Sequence, residues 1–287
     1  MGRLTNMLEN RVGNAGTTSK GVVIYSPLGE RLGGSVGQTL GSTPSTTQYY
    51  DLGTRMVTGD GRVFRYAKAG ATLISGYGCE CYGSQHIAYA TLTAATAAGG
   101  YSVTFTAAAT DGPAGGGVSS GDGAIAANEM KGGYIIIMDS DGTNAQNRMI
   151  TRNTATAAGG GTITVTFDEP TYVALTTSDH VECMASPYRD VRSTNYGKAS
   201  IVGVPTIPAT VGQYLWIQTW GACWVTPQQR VSTELYQDQL VFRHDGTVDA
   251  HVYGDANVTQ AQHAGFVLAH AHGGGQGACF VMLQISI

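Results

Sequence analysis

The sequence predicts an all-β protein, a β-sandwich or barrel built from many short antiparallel strands, with an extended N-terminal arm. Glycine accounts for 41 of the 287 residues, and Asp-Gly pairs that favour tight hairpin turns separate the apolar segments. Many of those segments alternate between apolar and polar residues with the period of two that is typical of strands. No segment keeps a helical apolar period for three turns.

Residues 1–50 are predicted to form the N-terminal arm. This segment is polar and rich in Gly, Ser and Thr, and only GVVIY at 21–25 has the composition of a strand. Because such a segment cannot bury a core by itself, an ordered arm has to lie on another surface. A neighbouring subunit is the natural candidate for that surface.

Two β regions are predicted after the arm. Residues 51–192 form a β domain with a hairpin insertion at about 91–192, in which short strands alternate with turns. Residues 193–287 contain longer apolar strands and all three tryptophans, and they end in the apolar segment CFVMLQISI. An apolar final strand indicates closure of a barrel or sandwich. We expect residues 51–90 to pack with this C-terminal region.

Two stretches of the β domain are related in sequence. ATAAGGYSVTFT occupies 95–106, and ATAAGGGTITVTF occupies 155–167. Two occurrences are too few for a solenoid, so two similar hairpins in one sheet, or one duplicated hairpin, explain the relation. Their alternation places one set of apolar side chains on a single face of each strand: Val103 and Phe105 in the first, and Ile163, Val165 and Phe167 in the second.

The strongest turn signal is Asp60-Gly61, within DLGTRMVTGDGRVFRYAKAG at 51–70. The strand after this turn alternates basic and aromatic residues, with Arg62 on the face of Phe64 and Tyr66, and Arg65 on the opposite face. A nucleic-acid strand could stack on such a pattern. The preferred interpretation is an amphipathic strand at a subunit contact, and the candidate contact residues are Arg55, Arg62 and Arg65.

The charge pattern argues against nucleic-acid and membrane partners. The net charge of -4 is scattered along the chain without a run of like charges, so there is no electrostatic footprint for nucleic acid or an anionic membrane. MGRLTNMLENRVGNAG lacks the apolar region of a signal peptide, and no later segment is long and apolar enough to span a bilayer. Synthesis in a cytoplasm is expected.

No catalytic, cofactor-binding or metal-binding set is predicted, and the chain is expected not to be an enzyme. The glycine-rich stretches lack the Lys-Ser/Thr ending of a phosphate loop, and no Ser lies in a nucleophile elbow. DSDGTN at 139–144 begins like a calcium loop but lacks the distal glutamate, which favours a polar hairpin turn. Neither Cys79 with Cys81 nor His270 with His272 has the further ligands that zinc requires. The five cysteines are expected to be reduced and mostly buried.

The order of several blocks resembles a group of virion proteins of tailed bacteriophages, of the capsid decoration type. The resemblance covers about 51–225 and the closing strands. It is carried by the segments DLGTRMVTGDGRVFRYAKAG, MKGGYIIIMDSDG, NRMITRNTATAAGGGTITVTFDEPTYVALTTSDHVECMASPYRDV and ASIVGVPTIPATVGQYLWIQTWGACWV.

The resemblance implies a non-enzymatic cement subunit that binds the outside of a phage head and stabilises contacts between shell subunits. Its implied partners are the major capsid protein and copies of itself, and a homotrimer is expected by analogy with local threefold positions. The implied location is the capsid surface of the virion, after synthesis in the host cytoplasm.

Two alternatives remain open at this point. The first is another phage structural component, a shell, tail or fibre subunit. The second is a carbohydrate-binding or hydrolytic β protein in which Trp216, Trp220 and Trp224 form an aromatic platform for a sugar. The apolar residues around these tryptophans favour core positions over a platform.

Overall fold

The computed structural model confirms the all-β fold class. It describes residues 15–17, 23–25, 38–82, 85–113, 121–193, 200–228, 231, 239–251, 261–269 and 279–286. Within these ranges there are eighteen strands and no helix, so the described residues contain no helix that could cross a membrane. The strands form two curled antiparallel sheets.

In chain order the strands are β1 (Ala15–Thr17), β2 (Val23–Tyr25), β3 (Arg55–Val57), β4 (Val63–Lys68), β5 (Cys79–Cys81), β6 (Gln85–Thr91), β7 (Ser102–Ala107), β8 (Tyr134–Met138), β9 (Ala145–Asn153), β10 (Gly161–Phe167), β11 (His180–Met184), β12 (Val191–Ser193), β13 (Ile201–Pro205), β14 (Tyr214–Val225), β15 (Gln239–Phe242), β16 (Val248–Ala250), β17 (His263–Ala269) and β18 (Cys279–Gln284).

The chain divides into two compact units. Unit 1 comprises residues 1–81 and 188–287, and unit 2 comprises residues 82–187. The bounds expected from the sequence, an arm to 50 and an insertion at about 91–192, stay a prediction about folding domains. The strand predicted at GVVIY contains β2. Apart from β1 and β2, the first 37 residues of the arm lie outside the described residues.

Unit 1 contains a twelve-stranded sheet with β14 at its centre. Nine strands follow the order β1-β2-β3-β4-β14-β18-β17-β15-β16. The other three strands branch from β14: β13 pairs with β14 and with β5, and β5 pairs with β12. The first half of β14 pairs with β4, and its second half pairs with β18. A register shift between Gln218 and Trp220, next to Gly221 at a φ of +91°, separates the two halves. Such an irregularity bends a strand and changes which side chains share a face.

The two halves of β14 contribute to different apolar clusters. Leu215 and Ile217 pack in a cluster with Ala67 of β4. Cys223 and Val225 pack in a second cluster, which is formed mainly by strands β15 to β18. The long strand therefore joins the N-terminal strands of unit 1 to its C-terminal strands.

An aromatic cluster lies on the other face of β4 and the first half of β14. The ring centroids of Tyr66 and Trp216 are 5.0 Å apart, and the ring of Tyr50 lies 5.2 Å from each of them. The indole N–H of Trp216 donates to the Gln38 carbonyl at 2.8 Å, and the Tyr66 hydroxyl donates to Gln38 Oε1 at 3.0 Å. From Gln38 onward, the arm therefore packs on its own unit. A contact between the arm and a neighbouring subunit stays a prediction.

Unit 2 contains a six-stranded sheet in the order β6-β11-β8-β9-β10-β7. Its two edges approach each other, because Leu92, just after β6, bridges Phe105 of β7. The backbone N–H of Thr93 also donates to the Thr104 carbonyl at 2.9 Å. The sheet therefore curls around a single apolar core. The largest fully buried side chains in this core are Ile87, Phe105, Ile125, Met130, Ile135, Ile137, Ile150 and Ile163.

The two related stretches of sequence are neighbouring strands of this sheet. β7 and β10 pair antiparallel, with Val165 opposite Val103 and Ile163 opposite Phe105. These four side chains are buried, which confirms the faces predicted from the alternation. On the outer face, the hydroxyls of Thr104 and Thr164 lie 3.0 Å apart. The repeat therefore corresponds to two paired strands that line the same core.

Candidate interaction surfaces

The predicted hairpin turn at Asp60-Gly61 is confirmed. β3 and β4 pair antiparallel on either side of it, and Gly61 has a φ of +84°. The Thr58 N–H donates to the Arg62 carbonyl at 2.9 Å, and the Gly61 N–H donates to the Thr58 carbonyl at 2.9 Å. Glycine is favoured at this position because other residues rarely adopt a positive φ.

Arg62 pairs with a carboxylate of its own hairpin. Its Nε lies 2.8 Å from Asp60 Oδ2, with side-chain exposures of 36% for Arg62 and 56% for Asp60. A hydrogen bond from the Thr58 hydroxyl, together with the pairing to Arg62, lowers the pKa of Asp60. The guanidinium lies 5.6 Å from the centroid of the Phe64 ring, as expected for side chains on one face. Arg62 therefore reaches the surface next to an ionised partner.

Arg55 and Arg65 lie directly opposite each other on β3 and β4. Both residues are half-buried, and Arg65 Nη1 donates to the Gly53 carbonyl at 3.2 Å. Residues directly opposite on antiparallel strands share a face, so these two arginines lie on the face opposite Arg62. The structure brings together two of the three candidate contact residues and separates the third. Their role at a subunit contact stays a prediction.

The three tryptophans of β14 occupy three different environments. Trp216 is 2% exposed in the aromatic cluster, Trp220 is half-buried, and Trp224 is 43% exposed. A Cβ placed on Gly76 would lie 2.0 Å from Trp224 Cζ3, so the ring of Trp224 packs directly over this glycine. Since Trp216 is buried, the three tryptophans do not form one exposed aromatic platform that could bind a sugar.

Trp224 belongs instead to an exposed surface on three adjacent strands, which we call the aromatic face. In register, Trp224 lies opposite Phe280, Ala222 opposite Met282, and Met282 opposite Phe266. The opposite side of the same strands forms the second apolar cluster. The aromatic face is defined by Trp220, Ala222 and Trp224 on β14, Phe280, Met282 and Gln284 on β18, and Phe266 and Leu268 on β17.

Sequence reasoning missed this face because it treated the C-terminal strand as uniformly apolar core. In β18 the burial alternates: Cys279, Val281 and Leu283 are buried, whereas Phe280 is 43% exposed. A run composed almost entirely of apolar residues carries no period-two signal, so the sequence does not show which of its residues face outward.

Unit 2 also exposes apolar side chains on the outer side of its sheet. The ring of Tyr89 on β6 stacks on His180 of β11, with a centroid separation of 4.5 Å. On the next strand, β8, Tyr134 is 42% exposed and Ile136 is 41% exposed. Glu182 lies opposite Ile136 in register, so this surface mixes apolar and charged side chains.

All five cysteines are free, and four are buried, which confirms the expectation of reduced and mostly buried thiols. Burial raises the pKa of Cys223 to about 12 and that of Cys279 to about 11. Burial also raises the pKa of Cys79, whose thiol donates to the Gly203 carbonyl at 3.2 Å. Thiols with such raised pKa values stay protonated at neutral pH and are poor nucleophiles and metal ligands.

The segment DSDGTN forms the predicted polar turn between β8 and β9. The Asn144 N–H donates to Asp139 Oδ1 at 3.0 Å and is the main cause that lowers the pKa of Asp139 to about 2. The Thr143 hydroxyl donates to Asp141 Oδ1 at 2.6 Å. In the described part of the chain, no group of three or more His, Cys, Asp or Glu side chains could hold a metal ion. His270 and His272 lie outside that part.

A buried pair of ionisable residues in unit 2 also escaped sequence reasoning. His86 Nε2 lies 3.7 Å from Glu129 Oε1, and the two side chains are 0% and 5% exposed. The buried side chains of His86 and Glu129 therefore have each other as polar neighbours inside unit 2. Asp111 is buried too. The pKa of Cys183 is raised mainly by burial and, to a smaller extent, by the charge of Asp111. His86 and Glu129 are far apart in sequence, and no local pattern connects them.

Comparisons with protein-family models, with curated proteins and with solved structures found no match for this chain. The fold, the exposed surfaces and the resemblance in block order are therefore the basis for a functional assignment. Together they describe an all-β protein with exposed apolar side chains on both of its units.

Proposed function

We propose that this chain is a structural protein of a tailed-bacteriophage virion, a non-enzymatic capsid decoration subunit. It binds the outside of the head, contacts the major capsid protein and copies of itself, and stabilises contacts between shell subunits. It is made in the host cytoplasm and ends on the capsid surface. The resemblance in block order over about 51–225 supports this role.

The observation that carries the proposal is the exposure of large apolar side chains on the outer faces of both units. In unit 1 the exposed fractions are 43% for Trp224 and 43% for Phe280, and in unit 2 they are 42% for Tyr134 and 41% for Ile136. Contiguous apolar patches on a protein surface mark contacts with other macromolecules. A cement subunit touches the shell and its neighbours at the same time, so a contact surface on each unit suits it.

The composition supports the same role. Charged residues make up 13% of the chain, compared with about 25% in ordinary soluble domains. A low charge content is typical of a protein whose surface is covered in an assembly, because fewer charges have to be removed from water on binding. Many such contacts, each weak alone, become strong when the symmetry of a head repeats them.

The direct test is binding of the purified protein to purified phage heads that lack it. We expect saturable co-sedimentation, with a fixed number of copies per head at saturation. The absence of any co-sedimentation at micromolar protein would contradict the decoration role. Spontaneous assembly of the protein into shells or tubes would instead support the alternative of a shell or tail subunit.

A further inference from the structure

We infer that the aromatic face of unit 1 binds the same face of a second copy of this chain. Antiparallel sheets with one solvent-exposed face usually carry polar residues on that face. The aromatic face departs from that rule, because seven of its eight residues are apolar and Gln284 is the polar exception. A large apolar surface on the solvent side of a sheet is typical of a site that a partner covers.

The geometry of the face suits packing of one sheet on another. Its three strands are adjacent and antiparallel, and the side chains of Trp224 and Phe280 stand directly opposite each other. The exposed fractions of Trp224, Phe266, Leu268 and Phe280 are 43%, 39%, 46% and 43%. Two such faces can interdigitate in the way that the inner faces of a β-sandwich do, with the sheets about 10 Å apart.

The charge of the face points to a second copy as the occupant. None of its eight residues is charged. In a twofold contact both copies use the same patch, so that patch has to be complementary to itself. An uncharged apolar face is complementary to itself. It has no charged side chain that would select a basic or an acidic partner.

The size of the face fits the centre of a dimer interface. The four most exposed side chains present about 350 Å² of apolar surface at their exposed fractions. A stable interface buries about 800 Å² on each partner, as an apolar centre inside a polar rim. The aromatic face supplies the apolar centre, and His263, which contacts Gln284 at its border, is one of the polar residues beside it.

Sugars and membranes fit the face less well. Sugar sites combine aromatic rings with several polar groups that bind hydroxyls, but the only polar side chain here, Gln284, lies 3.2 Å from His263 Nε2 and is already engaged. Membrane-surface sites combine apolar residues with Lys or Arg, and this face carries neither. A second copy is the occupant that the chemistry favours.

The test is the molar mass of the full chain in solution, measured by light scattering after gel filtration from about 1 to 100 μM. We expect a concentration-dependent dimer for the wild-type protein. Phe280→Asp and Leu268→Asp place a charge on two different strands of the face, so each should shift the dimer dissociation constant upward by at least about 100-fold, because a buried unpaired charge opposes association. The control is Val211→Asp, at an apolar residue of unit 1 that is 65% exposed and lies outside the aromatic face, and it should leave the dimer intact. Circular dichroism confirms that each variant is folded.

Several outcomes would overturn the inference. A wild-type monomer at every concentration would do so, as would the homotrimer that the resemblance implies, or a dimer that survives both substitutions in folded protein. Flotation of the wild-type protein with phosphatidylcholine vesicles, abolished by Phe280→Asp, would assign the face to a membrane instead. The inference is separate from attachment to a shell: a monomer that still co-sediments with heads would remove the pairing and leave the decoration role in place.

Discussion

At the scale of single residues, Gln38 connects the arm to the core of unit 1 through hydrogen bonds. Its backbone carbonyl accepts the Trp216 indole N–H, its Oε1 accepts the Tyr66 hydroxyl, and its Nε2 donates to the Tyr214 carbonyl at 2.8 Å. Tyr66 is fully buried, so its hydroxyl has no access to water. One side chain therefore satisfies two polar groups inside the aromatic cluster.

Gln38→Ala should lower the free energy of unfolding of unit 1 by about 1–3 kcal/mol, because it removes the acceptor of a buried hydroxyl. The measurement is urea unfolding followed by tryptophan fluorescence, which reports on Trp216. Gln48→Ala is the matched control, since Gln48 is exposed and donates to the carbonyl of nearby Tyr50. The control should change stability by less than about 0.5 kcal/mol. Equal effects of the two substitutions would show that the arm is not held through Gln38.

Single residues also show how far the sequence could be interpreted. The alternation in β7 and β10 correctly predicted that Val103 and Phe105 share a face, because those strands are regular and one side faces the core. The spacing of four between the tryptophans was ambiguous because Gly221 and the adjacent register shift divide β14. A local irregularity of this kind depends on the partner strands, which the sequence of β14 alone does not contain.

At the scale of elements, the β3–β4 hairpin presents Arg62 to the surface of unit 1. A Cβ placed on Gly221 would lie 2.9 Å from Arg62 Cγ, so the stem of this arginine packs closely on β14. Its charged group remains partly exposed beside Asp60. Arg65, in contrast, is half-buried opposite Arg55 and donates to the backbone. Of the three candidate contact residues, Arg62 is therefore the most direct one to test.

Arg62→Glu should weaken the attachment of the protein to phage heads by about 10-fold or more, because it replaces an attractive charge with a repulsive one at the proposed contact. The isolated protein should stay folded, since exposed ion pairs contribute little to stability. Occupancy is measured by co-sedimentation with heads. Arg152→Glu changes the net charge equally at an exposed position of unit 2 and serves as the control. Unchanged occupancy in Arg62→Glu would move the contact to another surface, such as the first fifty residues.

The elements differ in how well the sequence predicted them. Asp60-Gly61 specifies a hairpin through local backbone preferences, so the turn was predictable. The exposed face of β17 and β18 was not, because Phe266 and Phe280 look like core residues until the pairing with β14 fixes which side is outward. The same holds for His86 and Glu129, whose proximity follows only from the fold of unit 2. Pairing between distant segments is the information that composition and periodicity lack.

At the scale of the whole molecule, two all-β units each expose apolar side chains on the outer side of a sheet. The fold class follows from glycine content, turns and alternation, because these are local properties that add up along the chain. The assignment to a virion depends on how the surfaces are used, and a surface acquires its function only with a partner. The central claim is therefore best tested in the assembled particle.

The most direct measurement is a cryo-electron microscopy map of native particles from the organism or virus that encodes this chain, with the subunits identified by fitting this structure. We predict density for the two units on the outer surface of the head, in symmetric copies that bridge adjacent shell subunits. A particle whose outer surface carries no such density, in a preparation where the protein remains entirely in the soluble fraction, would contradict the proposed function.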